Sequence, residues 1–199
     1  MTLRLLAISL LAAASAASAG EGTAASDVMR RYFPNVTLRT QEGKSVRFYD
    51  DVVKGKIVLI NLMFTSCSKY CPITTPRLVR VQKELQKQLG DRLRMVSITI
   101  DAERDTPKAL ADYARRYGAP KDWFFLTGKR EDVDLIRRKL GIYDTEEKKL
   151  EHMSLLTVGN EPEGQWLALP VLTETDEIVR TVVRVATSIR KAAPITAAR

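Results

Sequence analysis

The chain has 199 residues, two cysteines, one histidine and a formal net charge of +8. Hydrophobic residues at 45% and charged residues at 28% are ordinary globular values, which excludes disordered and collagen-like chains. Two cysteines are too few to staple a mini-protein, and one histidine excludes poly-histidine metal sites and classical zinc fingers.

Residues 1–19 place Arg4 before an apolar run that ends in Ala17-Ser18-Ala19, the layout of a secretory signal peptide cleaved after Ala19. The run is short for the roughly 20 apolar residues that span a bilayer, and an uncleaved amino-terminal anchor is the alternative. Residues 20–32 are small and polar without periodicity and read as a flexible lead-in. A single domain over 33–190 and a flexible tail over 191–199 complete the expected layout. Residues 36–38 and 46–48, around Glu42-Gly43, predict two short strands and a tight turn. Residues 56–64 (KIVLINLMF) form a nearly unbroken apolar run, the mark of a strand buried on both faces. Pro72 opens a helix in which Leu78, Val81, Leu85 and Leu89 recur at helical spacing, and Gly90 stops it. Residues 93–100 predict a second strong strand. Thr106-Pro107 offers a cap and a first-turn proline, with Leu110, Tyr113, Ala114 and Tyr117 on one face before Gly118. Residues 123–126 read as a third strand. Residues 130–140 read as a helix, acidic at its start and basic at its end, which Gly141 closes. Residues 154–158 and 178–185 read as the last strands, with a short helix near 187–192.

Strands alternating with helices predict an α/β sandwich with parallel strands at its centre. Chemistry in such sheets belongs at the carboxyl ends of the strands, where Cys67 and Cys71 follow the most apolar strand at once. The basic residues come in pairs such as Arg115-Arg116, Arg137-Arg138 and Lys148-Lys149, interleaved with acids, as on solvated helix faces. That pattern argues against nucleic-acid binding and leaves room for contact with a membrane surface or an acidic partner. Gly-rich phosphate loops and Ser-His-Asp arrangements are not evident.

Cys67 and Cys71 stand four apart, which in a regular helix separates their Cβ atoms by about 5–6 Å. A disulfide wants about 3.5–4.5 Å, so a loop or distorted first turn presents the sulfurs as a disulfide or as two ligands of one ion. Pro72 puts Cys71 at a helix amino terminus, where the dipole and the neighbouring Lys69 favour thiolate. A purely structural disulfide is the plainer reading, disfavoured because so short a loop removes little unfolded-state entropy. Cys67, farther from the helix body, is the expected attacking thiol. His152 lies just before the strand expected at 154–158. A lone histidine is more often a surface or capping residue than a ligand. Joined to two thiolates, its imidazole makes a soft three-coordinate set that suits copper better than zinc, which prefers four ligands. Met153 beside it is a candidate thioether.

FTSCSKYCP at residues 64–72, SITIDAERDTP at 97–107 and the downstream His152 resemble, in order and spacing, the Sco/SenC family of exported copper-binding, thioredoxin-like proteins. The resemblance implies an α/β, thioredoxin-like fold with a central mixed sheet flanked by helices and an added N-terminal β-hairpin. It implies a periplasmic location and makes Cys67, Cys71 and His152 the copper ligands, with Asp101 and Asp105 as the acidic pair near the site. The implied role is delivery of copper to, or reduction of the cysteines of, a respiratory oxidase copper site. Partners are then that oxidase's copper-receiving subunit or another exported copper protein, and thioredoxin-like reductants. The plainer reading of Asp101, Arg104 and Asp105 is support for the start of the next helix. Many members carry proline and an acidic residue between the cysteines, where this chain has Ser68 and Lys69. Lysine suits a nucleophilic thiolate better than a cationic metal, which raises the alternative of a thiol–disulfide oxidoreductase using Cys67 and Cys71 without obligatory metal.

Overall fold

The computed structural model describes residues 16–142 and 155–188. Its most apolar stretch forms the middle of the fold. Ile57–Met63 (β3) is buried at every position. Leu93–Thr99 (β4) runs parallel beside it, Ile57 opposite Leu93 and Met63 opposite Thr99. Trp123–Thr127 (β5) continues the parallel set on the far side of β4. Thr37–Thr40 (β1) and Ser45–Arg47 (β2) form an antiparallel hairpin, with β1 lying against β5. Gly43 turns that hairpin at a φ of +79°, a region a side chain would strain. Leu155–Asn160 (β6) lies antiparallel to β3 on its other side, and Gln165–Pro170 (β7) forms the edge. The seven-stranded order is β2-β1-β5-β4-β3-β6-β7, a mixed sheet with a parallel centre and an N-terminal hairpin, as the sequence predicts.

Strand register assigns the helices to faces, because side chains alternate along each strand. Phe125 and Asn160 share one face. Phe125 packs 5.9 Å from Tyr113 of Pro107–Arg116 (α3), and Asn160 donates through Nδ2 to the Val185 carbonyl of Thr175–Thr187 (α5) at 2.9 Å. Cys71–Leu89 (α2) joins them through the 2.6 Å contact of Thr75 with the Tyr113 hydroxyl and by packing on α5. Trp166 lies on the opposite face, 4.6 Å from Phe33 at the end of Ala16–Tyr32 (α1). The Tyr32 hydroxyl donates to the Lys139 carbonyl of Arg130–Lys139 (α4) at 2.7 Å, so α1 and α4 cover this side together.

Three elements differ from the sequence reading. Residues 178–185 form not a strand but most of α5. Ile178, Val182 and Val185 are its buried stripe, spaced by four and three, and packing of that stripe overrides the strand preference of β-branched residues. Thr187, expected to begin a short helix, is the last residue of α5. Residues 20–32 lie within α1. Alanine favours helix there, and the last turn is held down by Met29 and Phe33 against the core. The Tyr49 hydroxyl, 2.8 Å from the Ser26 carbonyl and 2.7 Å from Glu161 Oε1, shares its proton between them. Strand β7 was not anticipated: it is half exposed, and its pattern is weak. Among the described residues no helix is long and apolar enough to cross a membrane.

Candidate metal and thiol site

Beyond Met63 the chain turns through residues 64–70 before Cys71 opens α2. The first turn of this helix is poorly supplied with acceptors: its N-cap, Tyr70, makes no side-chain cap, and the next residue is Pro72. Cys71 instead donates its backbone N–H to the Sγ of Cys67 at 3.3 Å. The Cys67 sulfur thus stands where a capping oxygen stands in other helices, at the positive end of the dipole.

The two thiols are free, buried and unequal; Cys67 is 8% exposed and Cys71 3%. Burial opposes charge on Cys67. The Cys71 thiol and the backbone N–H groups of Cys71, Lys69 and Tyr70 face its sulfur and outweigh burial, holding its pKa below the usual thiol value. Cys71 is pushed up to about 12, first by burial and then by its own hydrogen bond to Cys67. The Phe64 backbone and the Tyr113 hydroxyl act the other way on it, without prevailing. Lys69 helps Cys67 through its backbone N–H; its ammonium sits 5.1 Å from the centre of the Tyr70 ring.

A buried carboxylate fixes the loop that carries Cys67. Asp105, 1% exposed, accepts from the Thr65 N–H at 3.0 Å and from the hydroxyls of Thr65 and Thr99. Thr99 Oγ1 in turn accepts from the Asp101 N–H at 3.0 Å. The Asp101 carbonyl takes the N–H groups of Arg104 and Asp105 at 3.1 and 2.9 Å. The loop after β4 is thereby laced to the loop after β3, two residues ahead of Cys67. The carboxylate of Asp101 itself faces Arg104 at 3.8 Å. Thr106 caps α3 as expected, its hydroxyl accepting from the Ala109 N–H at 3.2 Å.

The structure therefore brings Cys67 and Cys71 together and ties Asp105 to them through Thr65, while the Asp101 carboxylate points to Arg104. His152 and Met153 lie outside the described residues. Among the described residues no group of three or more His, Cys, Asp and Glu side chains is disposed to hold a metal. Thr65, Thr99 and Tyr113 escaped the sequence reading as site residues. The two threonines lie inside the stretches that carried the family resemblance. Tyr113 was placed in the apolar stripe of α3, and its signal was a phenol on the buried face of a helix, where the hydroxyl must find a partner.

The description SCO1/SenC belongs to a family model that matches residues 25–187. The chain is 37% identical over 93 residues to a SCO1 protein homolog of Bacillus subtilis, covering 46% of this chain and 47% of that protein. It is 31% identical over 141 residues to the mitochondrial SCO1 homolog of Homo sapiens, covering 67% of this chain and 44% of that protein. It thus spans about half the length of the curated relatives it matches. Among solved structures, yeast Sco1 with copper bound is similar at a TM-score of 0.63 and 22% identity, covering 80% of this chain and 96% of that one. At that identity the likeness shows a shared fold.

Proposed function

The chain belongs to the SCO1/SenC family, and on that footing we propose that it is an exported copper metallochaperone of this type, with copper as its cargo. The observation that carries the reading is the Cys67 sulfur at the head of α2, ringed by N–H donors and in hydrogen-bond contact with the second thiol. Two adjacent sulfurs, one of them poised as thiolate, suit a soft monovalent ion, and Cu(I) is the metal that thiolates select. His152 is the proposed third ligand. Leu156 pairs with Asn61, so β6 starts beside the end of β3. Export with cleavage after Ala19, and a copper-receiving oxidase subunit as client, are parts of the same proposal.

The inequality of the thiols favours a second reading, dithiol exchange. In that reaction the Cys67 thiolate attacks a partner disulfide and forms a mixed disulfide, releasing one partner thiolate. Cys71 gives its proton to the released partner thiolate and attacks the Cys67 sulfur, displacing the second partner sulfur as thiolate, so this chain ends as a disulfide and the partner as a reduced dithiol. Anaerobic titration of the reduced protein with Cu(I) against a competing chelator separates the readings. One equivalent held tightly by the native protein, and greatly weakened in both Cys67→Ser and His152→Ala, supports the metallochaperone. Weak binding, or binding indifferent to His152, overturns it and leaves the dithiol.

A further inference from the structure

Among the described residues five large hydrophobic side chains are exposed, and they fall into two groups. Ile73 and Leu172 lie on the side of α2, where Arg77, one turn after Ile73, donates to the Leu172 carbonyl at 3.2 Å. Val28 (51% exposed), Tyr32 (44%) and Leu135 (38%) lie on the opposite side of the sheet, on α1 and α4. Single exposed apolar residues are ordinary, but a contiguous group marks a surface that meets something.

The second group is contiguous. Val28 and Tyr32 are one turn apart on α1, and Leu135 and Lys139 are one turn apart on α4. The last turns of the two helices meet where the Tyr32 hydroxyl donates to the Lys139 carbonyl at 2.7 Å. There the Lys139 ammonium lies 4.7 Å from the centre of the Tyr32 ring. Both helices repeat one pattern. Val28 is followed three and four places on by Arg31 and Tyr32, and Leu135 by Arg138 and Lys139. The acidic side chains stand back from this junction: Glu131 and Asp132 occupy the first turn of α4, and Asp27 precedes Arg31 by a turn. Asp134 is held by Arg137 at 2.9 Å, and Arg30 is turned aside to Asp50 at 3.4 Å. The helix dipoles explain basic residues in last turns, but not Val28, Tyr32 and Leu135 left in water beside them.

Cations interleaved with aliphatic and aromatic side chains suit a partner that is anionic at its surface and apolar just beneath. We propose that the α1–α4 face docks the protein on a bilayer containing anionic phospholipid. Arg31, Arg138 and Lys139 lie among the headgroups, the Tyr32 ring sits at their level, and Val28 and Leu135 reach the acyl boundary. The net charge of +8 supplies the longer-range attraction. The cysteine helix α2 packs on the opposite face of the sheet and stays clear of the lipid. The proposal stands on this face alone and needs no metal. Under the reading above, docking keeps a copper carrier at the membrane that holds its client.

The probe is a phosphatidylcholine vesicle, with and without phosphatidylglycerol, in a flotation assay with the chain from Gly20. That chain keeps every core residue and all of the family match, and lacks the apolar run of residues 1–19, which would bind lipid by itself. It should float with phosphatidylglycerol vesicles at low salt, stay behind with phosphatidylcholine alone, and be released by added salt. Arg31→Gln and Lys139→Gln should each weaken binding about fivefold, the worth of one cation near an anionic surface. Val28→Ser combined with Leu135→Ser, both at exposed positions, should weaken it about tenfold through lost apolar burial. Leu172→Ser, on the other side of the molecule, should bind as the native chain does. The proposal is overturned if the native chain does not float with phosphatidylglycerol vesicles, or floats equally without that lipid. It is equally overturned if the α1 and α4 variants bind as the native chain does, or if Leu172→Ser is weakened as much as they are. A native dimer in lipid-free solution that Val28→Ser with Leu135→Ser dissociates would also overturn it, assigning the face to a second copy of the chain. Each of these outcomes leaves the copper titration to be decided separately.

Discussion

Asp105 and Trp166 both bury polar atoms against the same sheet, yet Asp105 is surrounded by donors and the Trp166 indole N–H has no acceptor among the described residues. Around Asp105, two threonine hydroxyls and a backbone N–H converge on one carboxylate, and the network extends the β3–β4 pairing into the two loops that follow these strands. Breaking any member strands the others in a low-dielectric interior, so the cysteine loop is fixed by the cost of disturbing it. By contrast, the Trp166 indole N–H and the Thr157 hydroxyl are buried with no partner among the described residues. One sheet thus carries a fully satisfied polar network at the thiol end and unsatisfied polar atoms on the other face.

Substitutions at both places sharpen this contrast. The largest effect is expected for Asp105→Ala, which strands the Thr65 N–H and two hydroxyls and should cost about 3 kcal/mol in urea unfolding. Thr99→Val should cost about 2 kcal/mol, because it deprives Asp105 of a donor and the Asp101 N–H of its acceptor. Tyr49→Phe should cost about 1 kcal/mol and speed amide hydrogen exchange in α1, since burial and Glu161 keep that phenol protonated as the donor shared by Ser26 and Glu161. The smallest effect belongs to Thr157→Val. The same chemical change as at Thr99 removes a hydroxyl that has no partner among the described residues, so stability should stay level or rise by up to about 1 kcal/mol. Equal losses at Thr99 and Thr157 would dissolve the contrast.

Much of the fold was legible because burial on both faces writes itself as solid apolar runs, as in β3 and β4. Proline, glycine and charge marked the ends of α2, α3 and α4. What failed was a choice between periods: Ile178, Val179, Val182, Val183 and Val185 satisfy a strand by composition and a helix by spacing, and the surfaces of α2 and β6 against which this helix packs decide. Helix α1 was hidden because its hold comes from Tyr49 and Glu161, far away in sequence. The cysteine pair was legible from spacing and the proline after it. The unequal thiols were not, since they depend on which sulfur the N–H groups of residues 69–71 happen to face.

That inequality underlies both readings of function, and residue-resolved alkylation across pH tests it most directly. Thiols ordinarily titrate near pH 8.5. The folded-state pKa of Cys67 is lowered, so its thiolate stabilises the fold above the ordinary value, and this contribution fades as pH falls through the lowered one. Cys71 is raised, so the fold loses stability as pH climbs from the ordinary value toward about 12. With a small alkylating agent and mass spectrometry, Cys67 should react first, with its rate rising below pH 8.5, while Cys71 should stay protected until strongly alkaline pH. Equal profiles, or Cys71 reacting first, would contradict the account of Cys67 as the poised sulfur at the head of α2.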